Sequence, residues 1–140
     1  MKSAMLGTNV LIDFFERSNL RVAELLQSFD ELALTPVVIG EHLAGIRPGK
    51  NGEIAKARFD DFLDDVSVRV VWMTKATGRR YAALYQQLKA KGTPIPVNDM
   101  WIAASAMEND LLLISSDAHF SQVDDLRFAA PSATAPEGLV

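Results

Sequence analysis

Leu111-Leu112-Leu113-Ile114-Ser115 is the most strand-like run in this 140-residue chain: an unbroken aliphatic stretch followed by small polar residues and an acid, Ser115-Ser116-Asp117. A short continuous apolar run bounded by turn residues fits a strand buried on both faces, which is the signature of a parallel sheet. Working outward from it, Met100, Ala103, Ala104 and Met107 upstream fall at helical spacing, with Asn98 expected as the helix cap. Arg127 to Ala130 downstream reads as a short last strand. Further out, Ser3 to Leu6, Glu31 to Leu34 and the β-branched Val68 to Met73 read as strands. Between them lie helical stripes: Val22, Leu25, Leu26 and Phe29; Phe59, Phe62, Leu63 and Val66; and Tyr81, Leu84, Tyr85 and Leu88, the last closed by Gly92. Thr35-Pro36 supplies an N-cap followed by proline at the first helical position, opening a helix to about Ile46. Arg47-Pro48-Gly49-Lys50-Asn51-Gly52 is the clearest breaker, and the next helix is expected over Glu53 to Val66. Strands alternating with helices give an α/β fold with a mainly parallel sheet covered on both faces.

The length suits one domain, residues 1–130, followed by a tail over 131–140 that is rich in Pro, Ala, Ser and Gly and is expected to be loosely ordered. Apolar residues make up 49% and charged residues 23%, which excludes global disorder. The absence of cysteine removes disulfides, thiolate metal sites and a cysteine nucleophile, and two histidines cannot build a His-rich centre. No apolar run approaches the ~20 residues of a membrane span, and Asn9 and Asp13 spoil the opening segment as a signal peptide, so a soluble cytoplasmic protein with no membrane partner is expected. Fourteen basic against eighteen acidic residues give a net charge of −4, no footprint for coating duplex DNA. That sign does not exclude a nucleic-acid enzyme, because carboxylates that hold metal also make the total acidic.

Ligands in open α/β sheets sit beyond the carboxyl ends of the strands. At those places the sequence has Gly7-Thr8-Asn9, Glu41, Asp99 and Ser115-Ser116-Asp117. Glu41, Asp99 and Asp117 come from distant segments, and converging carboxylates repel one another unless a cation or proton lies between them. Oxygen ligands select magnesium or manganese over zinc or copper. The plainer alternatives are that Asp99 serves the dipole of its helix and Asp117 forms a turn.

Four segments carry a resemblance. Met5-Leu6-Gly7-Thr8-Asn9-Val10-Leu11-Ile12-Asp13 is similar to the opening of PIN-domain nucleases, in particular the VapC-type toxins of type II toxin–antitoxin pairs. Val38-Ile39-Gly40-Glu41 matches their helix-borne glutamate, Val97 to Ala104 their central motif, and Leu111 to Phe120 their closing strand and acidic turn. The resemblance implies a three-layer α/β/α sandwich. It also implies a Mg²⁺- or Mn²⁺-dependent endoribonuclease, an RNA substrate, a cognate antitoxin, and a homodimer that forms a heterotetramer or larger assembly with it. In the implied site Asp99 and Asp117 hold the metal, Glu41 ligates it or positions the attacking water, and Thr8, Asn98 and Ser115 support these carboxylates. One departure stands out: Gly7 occupies the position of the family's first aspartate, a principal metal ligand, so this chain is expected to be attenuated or inactive. Glycine here is one base change from aspartate; the alternative is that a tight strand-to-helix turn requires it.

Other features have plainer readings. Asp60, Asp61, Asp64 and Asp65 form a solvated acidic face, and His42 and His119, though beside site carboxylates, are not needed for this chemistry. Arg47, Lys50, Lys75 and Arg79 are candidates for guiding RNA, and Trp72, Trp101, Phe14 and Phe15 are core or partner-facing residues. A phospho-receiver domain shares the architecture but needs an acidic pair after the first strand, where Gly7-Thr8 stands. A catalytically dead PIN domain acting as a scaffold is the remaining alternative.

Overall fold

The computed structural model describes residues 2–131; all but the first residue of the expected tail lies outside them. The element order is β1 (Ser3–Leu6), α1 (Thr8–Phe15), α2 (Leu20–Gln27), β2 (Glu31–Leu34), α3 (Pro36–Ala44), α4 (Lys50–Leu63), β3 (Val68–Val70), α5 (Lys75–Lys91), α6 (Val97–Glu108), β4 (Leu112–Ile114), a 3-10 turn (Ala118–Gln122) and β5 (Phe128–Ala129). All four strand pairings are parallel, in the order β3-β2-β1-β4-β5. The sheet is flanked by helices in the expected α/β/α sandwich, and Ala4, Met5, Leu6, Ala33, Leu34, Leu113 and Ile114 are fully buried within it. Among the described residues no helix is long and apolar enough to cross a membrane.

The strand order positions the site. From β1 the chain builds outward through β2 and β3, then returns to lay β4 on the other side of β1. The two connections leaving β1 and β4 therefore diverge, and a crevice opens between them at the carboxyl ends of the strands.

Local chemistry explains the helix boundaries. The Thr35 hydroxyl accepts from the Val38 N–H at 3.2 Å and Pro36 follows, so α3 starts as expected. Gly92 closes α5 in the left-handed region, also as expected. The helix expected over 53–66 runs instead from Lys50 to Leu63. It starts earlier because Gly52 lies against the Arg47 carbonyl, where any Cβ would come within 1.9 Å of the oxygen; this glycine serves packing inside a helix rather than breaking one. It stops earlier because Asp65 turns the chain: its Oδ1 accepts from both the N–H and the hydroxyl of Ser67, which feeds β3 into the sheet. Val66, expected on the apolar stripe, is consequently fully exposed. Val71 still donates to Leu34 beyond the end of β3, but Trp72 turns outward and is 70% exposed. Tyr85 also leaves its expected stripe: α5 buries Thr77, Leu84 and Leu88 and leaves Tyr85 44% exposed. Phe29 lies beyond the end of α2.

Candidate metal centre

At the crevice between the β1 and β4 connections lies a cavity of about 180 Å³. Gly7, Thr8, Asn9, Glu41, Asp99, Ser115 and Asp117 all line it, with Ile12, Ile102 and Phe120 as its apolar wall. The three carboxylates singled out in the sequence line the same cavity, one each from α3, α6 and the β4 connection.

Each is held in its own way. Glu41 is gripped at both oxygens: Thr8 Oγ1 donates to Oε1 at 2.7 Å and Asn98 Nδ2 donates to Oε2 at 3.3 Å. Asn98 is therefore not the cap of α6. That position is Pro96, with no side-chain hydrogen bond, and Asn98 stands one residue inside the helix, where its amide reaches Glu41. Ser115 acts on backbone rather than on a carboxylate rotamer. Its Oγ accepts from the Asp117 N–H at 3.0 Å and donates to Asn9 Oδ1 at 3.4 Å, tying the β4 connection to the start of α1. Asp117 Oδ1 in turn accepts from the His119 N–H at 2.9 Å, opening the 3-10 turn.

That turn brings in a residue the sequence reading set aside. His119 Nδ1 lies 3.0 Å from Asp99 Oδ2 and 3.0 Å from Asp117 Oδ1. The hydrogen bond to Asp99, followed by the charge of Asp117, raises the His119 pKa above the usual imidazole value. Asp99 is pushed the other way from most ion-paired carboxylates. Burial raises its pKa most, the charges of Asp117 and Glu41 add to that, and His119 opposes them. The Asp117-Ala118-His119 spacing carried the signal, since an Asx-type turn folds residue i+2 back onto the aspartate. His42, by contrast, faces away from the cavity. It is 4% exposed, its ring centroid lies 4.4 Å from Phe59 and 5.6 Å from Phe15, and burial lowers its pKa.

Asp99 and Asp117 offer the oxygen ligands a hard cation takes, His119 adds an imidazole nitrogen, and Glu41 lines the same cavity outside this close group. One ligand atom each from Asp99, Asp117 and His119 lie within 4.8 Å of one another, the span expected of ligands around an ion at metal–oxygen distances of ~2.0–2.6 Å. Protonation of His119 would place positive charge beside both aspartates, the electrostatic role such an ion would take.

Gly7 contributes no side chain to this set. Its φ of −81° and ψ of 166° are ordinary extended backbone, so the turn does not require glycine. What the position does limit is space. Gly7 donates to the Ile114 carbonyl at 2.9 Å, and a Cβ there would meet Ser115 Cβ and Oγ at 3.2 Å and the Ile114 oxygen at 3.3 Å. It is also the N-cap of α1 and leaves that helix without a side-chain cap.

The chain is similar to known proteins in sequence and in fold. The chain is 27% identical over 128 residues to Ribonuclease VapC1 of Haemophilus influenzae, covering 89% of this chain and 94% of the relative. In structure it superposes on VapBC-1 from nontypeable Haemophilus influenzae with a TM-score of 0.81 at 24% identity, covering 94% and 99% of the two chains. It also superposes on a toxin-antitoxin complex from Klebsiella pneumoniae with a TM-score of 0.74 at 20% identity, again over 94% and 99%. Residues 4–126 match the PIN domain, and on that match, which takes in the whole acidic pocket, the chain belongs to the PIN domain family.

Proposed function

We propose that this chain is the toxin of a type II toxin–antitoxin pair, built as a Mg²⁺- or Mn²⁺-dependent endoribonuclease and attenuated by Gly7. The observation that carries this reading is the convergence of Glu41, Asp99 and Asp117 on one pocket at the switch point of the sheet, with Gly7 on its rim. A curated relative named as a ribonuclease supports the activity, and a solved relative described as a toxin-antitoxin complex supports a cognate antitoxin; the cytoplasmic homodimer that would assemble with it belongs to the same proposal.

Asp99 and Asp117 would hold the ion, with Glu41 beside them, kept in one rotamer by Thr8 and Asn98. A bound Mg²⁺ or Mn²⁺ would supply a water of lowered pKa and neutralise charge on the scissile phosphate. The chain's own residues fix the geometry. Ser115 anchors the Asp117 backbone, and Ile12, Ile102 and Phe120 wall the pocket against bulk water on one side. Neither a protein nucleophile nor a covalent intermediate is needed for phosphodiester hydrolysis of this kind.

Gly7 leaves β1 without its carboxylate, and losing even an outer partner of a metal ligand typically costs 10–100-fold in affinity or activity. Gly7→Asp should raise Mn²⁺ affinity and metal-dependent RNA cleavage by at least ~10–100-fold. The new Cβ requires Ser115 to give by a few tenths of an ångström, while the carboxylate gains an N-cap position on α1, so the fold should tolerate it. The measurement is RNA cleavage at saturating Mn²⁺ with a separate metal titration. A Gly7→Asp chain that gains neither would favour the second reading, a PIN domain that has lost catalysis and acts as a scaffold, for which Gly7 is itself the supporting observation.

A further inference from the structure

Among the helices of the described residues, α5 is the one strongly single-signed helix of this acidic chain. It carries Lys75, Arg79, Arg80, Lys89 and Lys91 and no acidic residue. Lys91 is paired with Asp124; the other four form no ion pair among the described residues. At 3.6 residues per turn Lys75, Arg79, Gln86 and Lys89 share one exposed stripe, about 21 Å long at 1.5 Å per residue. At its C-terminal end a second cavity, of about 230 Å³, opens between α5 and the start of α6. Its walls are Tyr85, Leu88, Lys89, Pro94, Ile95 and Met100. Met100 directly follows Asp99, so this cavity and the acidic pocket lie on either side of the first turn of α6.

We propose that this second cavity binds a nucleobase of single-stranded RNA: Tyr85 stacks on a base next to the cleaved phosphodiester, Lys89 meets its phosphate, and Arg79 and Lys75 follow the backbone along α5. The proposal rests on the nuclease reading above and adds to it a place for the substrate outside the metal pocket. Each half of the argument limits the other. A stripe of unpaired cations fits a polyanion, but alone it would take duplex or single strand alike. An apolar cavity alone would take a protein side chain. Together, a half-exposed aromatic ring, an adjoining cation and a space smaller than the ~300–1,000 Å³ of sites for drug-sized ligands fit one planar base and its phosphate. Only an unpaired base can turn into such a cavity, which selects single-stranded RNA or a loop. The charge also sets this face against the acidic end of α4, where a polyanion would be repelled.

The test is binding of a short fluorescein-labelled single-stranded RNA to the chain as it stands, read by anisotropy in EDTA so that cleavage plays no part. Tyr85→Ala should raise Kd about tenfold, whereas Tyr85→Phe, which keeps the stacking ring, should bind like the parent. An abasic oligoribonucleotide of the same length should bind the parent more weakly by a similar factor, and Tyr85→Ala should not weaken it further. Replacing Lys75 and Arg79 together by alanine should flatten the log Kd against log salt slope by about 1.4. Tyr85→Ala binding like the parent, or abasic and intact RNA binding equally, would overturn the proposal; a face built for an acidic protein surface gives that result. Failure here with Gly7→Asp active would remove the base pocket and leave the nuclease. Tyr85-dependent binding with Gly7→Asp inactive would keep the pocket and remove the nuclease.

Discussion

Two acidic regions of this molecule are made of the same side chains and behave in opposite ways. Asp60, Asp61, Asp64 and Asp65 crowd the end of one helix, all exposed, each charge spread into water. Glu41, Asp99 and Asp117 come from three separate elements into one half-buried pocket. Just past the helix end, Ser67 holds Asp65 with two hydrogen bonds, the hydroxyl's first in effect, and its pKa falls. In the pocket, burial and two neighbouring carboxylates raise the pKa of Asp99 despite His119. Density of acids in the sequence is therefore a poor guide to a site. A local cluster relaxes into solvent, whereas acids brought together by the fold cannot, and there a cation gains most.

The largest expected effect tests that contrast through metal. In a Gly7→Asp chain, Asp99→Asn should weaken Mn²⁺ binding by at least ~10–100-fold in calorimetry. The combined Asp60→Asn, Asp61→Asn and Asp64→Asn replacement should leave it within about twofold, since these side chains are exposed, do not line the pocket, and are screened by water and salt. Equal losses from the two regions would erase the distinction.

A smaller effect concerns stability. In the chain as it stands, without metal, Asp99→Asn should raise Tm by about 1–3 °C, because it removes a charge the pocket disfavours while keeping an acceptor for His119. Asp65→Asn should shift Tm downward by less, as expected for an exposed hydrogen bond. A fall in Tm for Asp99→Asn would mean that the His119 imidazolium already offsets the repulsion.

The finest test is the titration itself. Asp99 has a folded pKa above its unfolded value of ~3.9, so the folded state holds more protons through that window and acidification favours the fold at this residue. Asp65 has a folded pKa below it. Its contribution is fully present above ~3.9 and is lost as pH falls through the folded value. Carboxyl-carbon NMR should resolve the two on opposite sides of the ordinary range; coincident titrations would break the comparison.

Much of this was legible in the residues themselves. Strand positions, the Thr35-Pro36 helix start, the Gly92 stop and the order of Glu41, Asp99 and Asp117 all follow from periodicity and caps, which are local and need only neighbouring residues. The exposure of Val66 and Tyr85 and the early ends of α4 and β3 were not legible, because a stripe of apolar residues does not say where a chain must turn to reach its partner strand. Nor could spacing reveal that Asn98 reaches Glu41, that the His119 ring also meets Asp99, or that Gly7 is limited by Ser115 rather than by its own backbone angles. Those contacts join segments far apart in the chain, and only the parallel register of β1 against β4, with the outward reversal of strand order there, brings them within hydrogen-bonding distance.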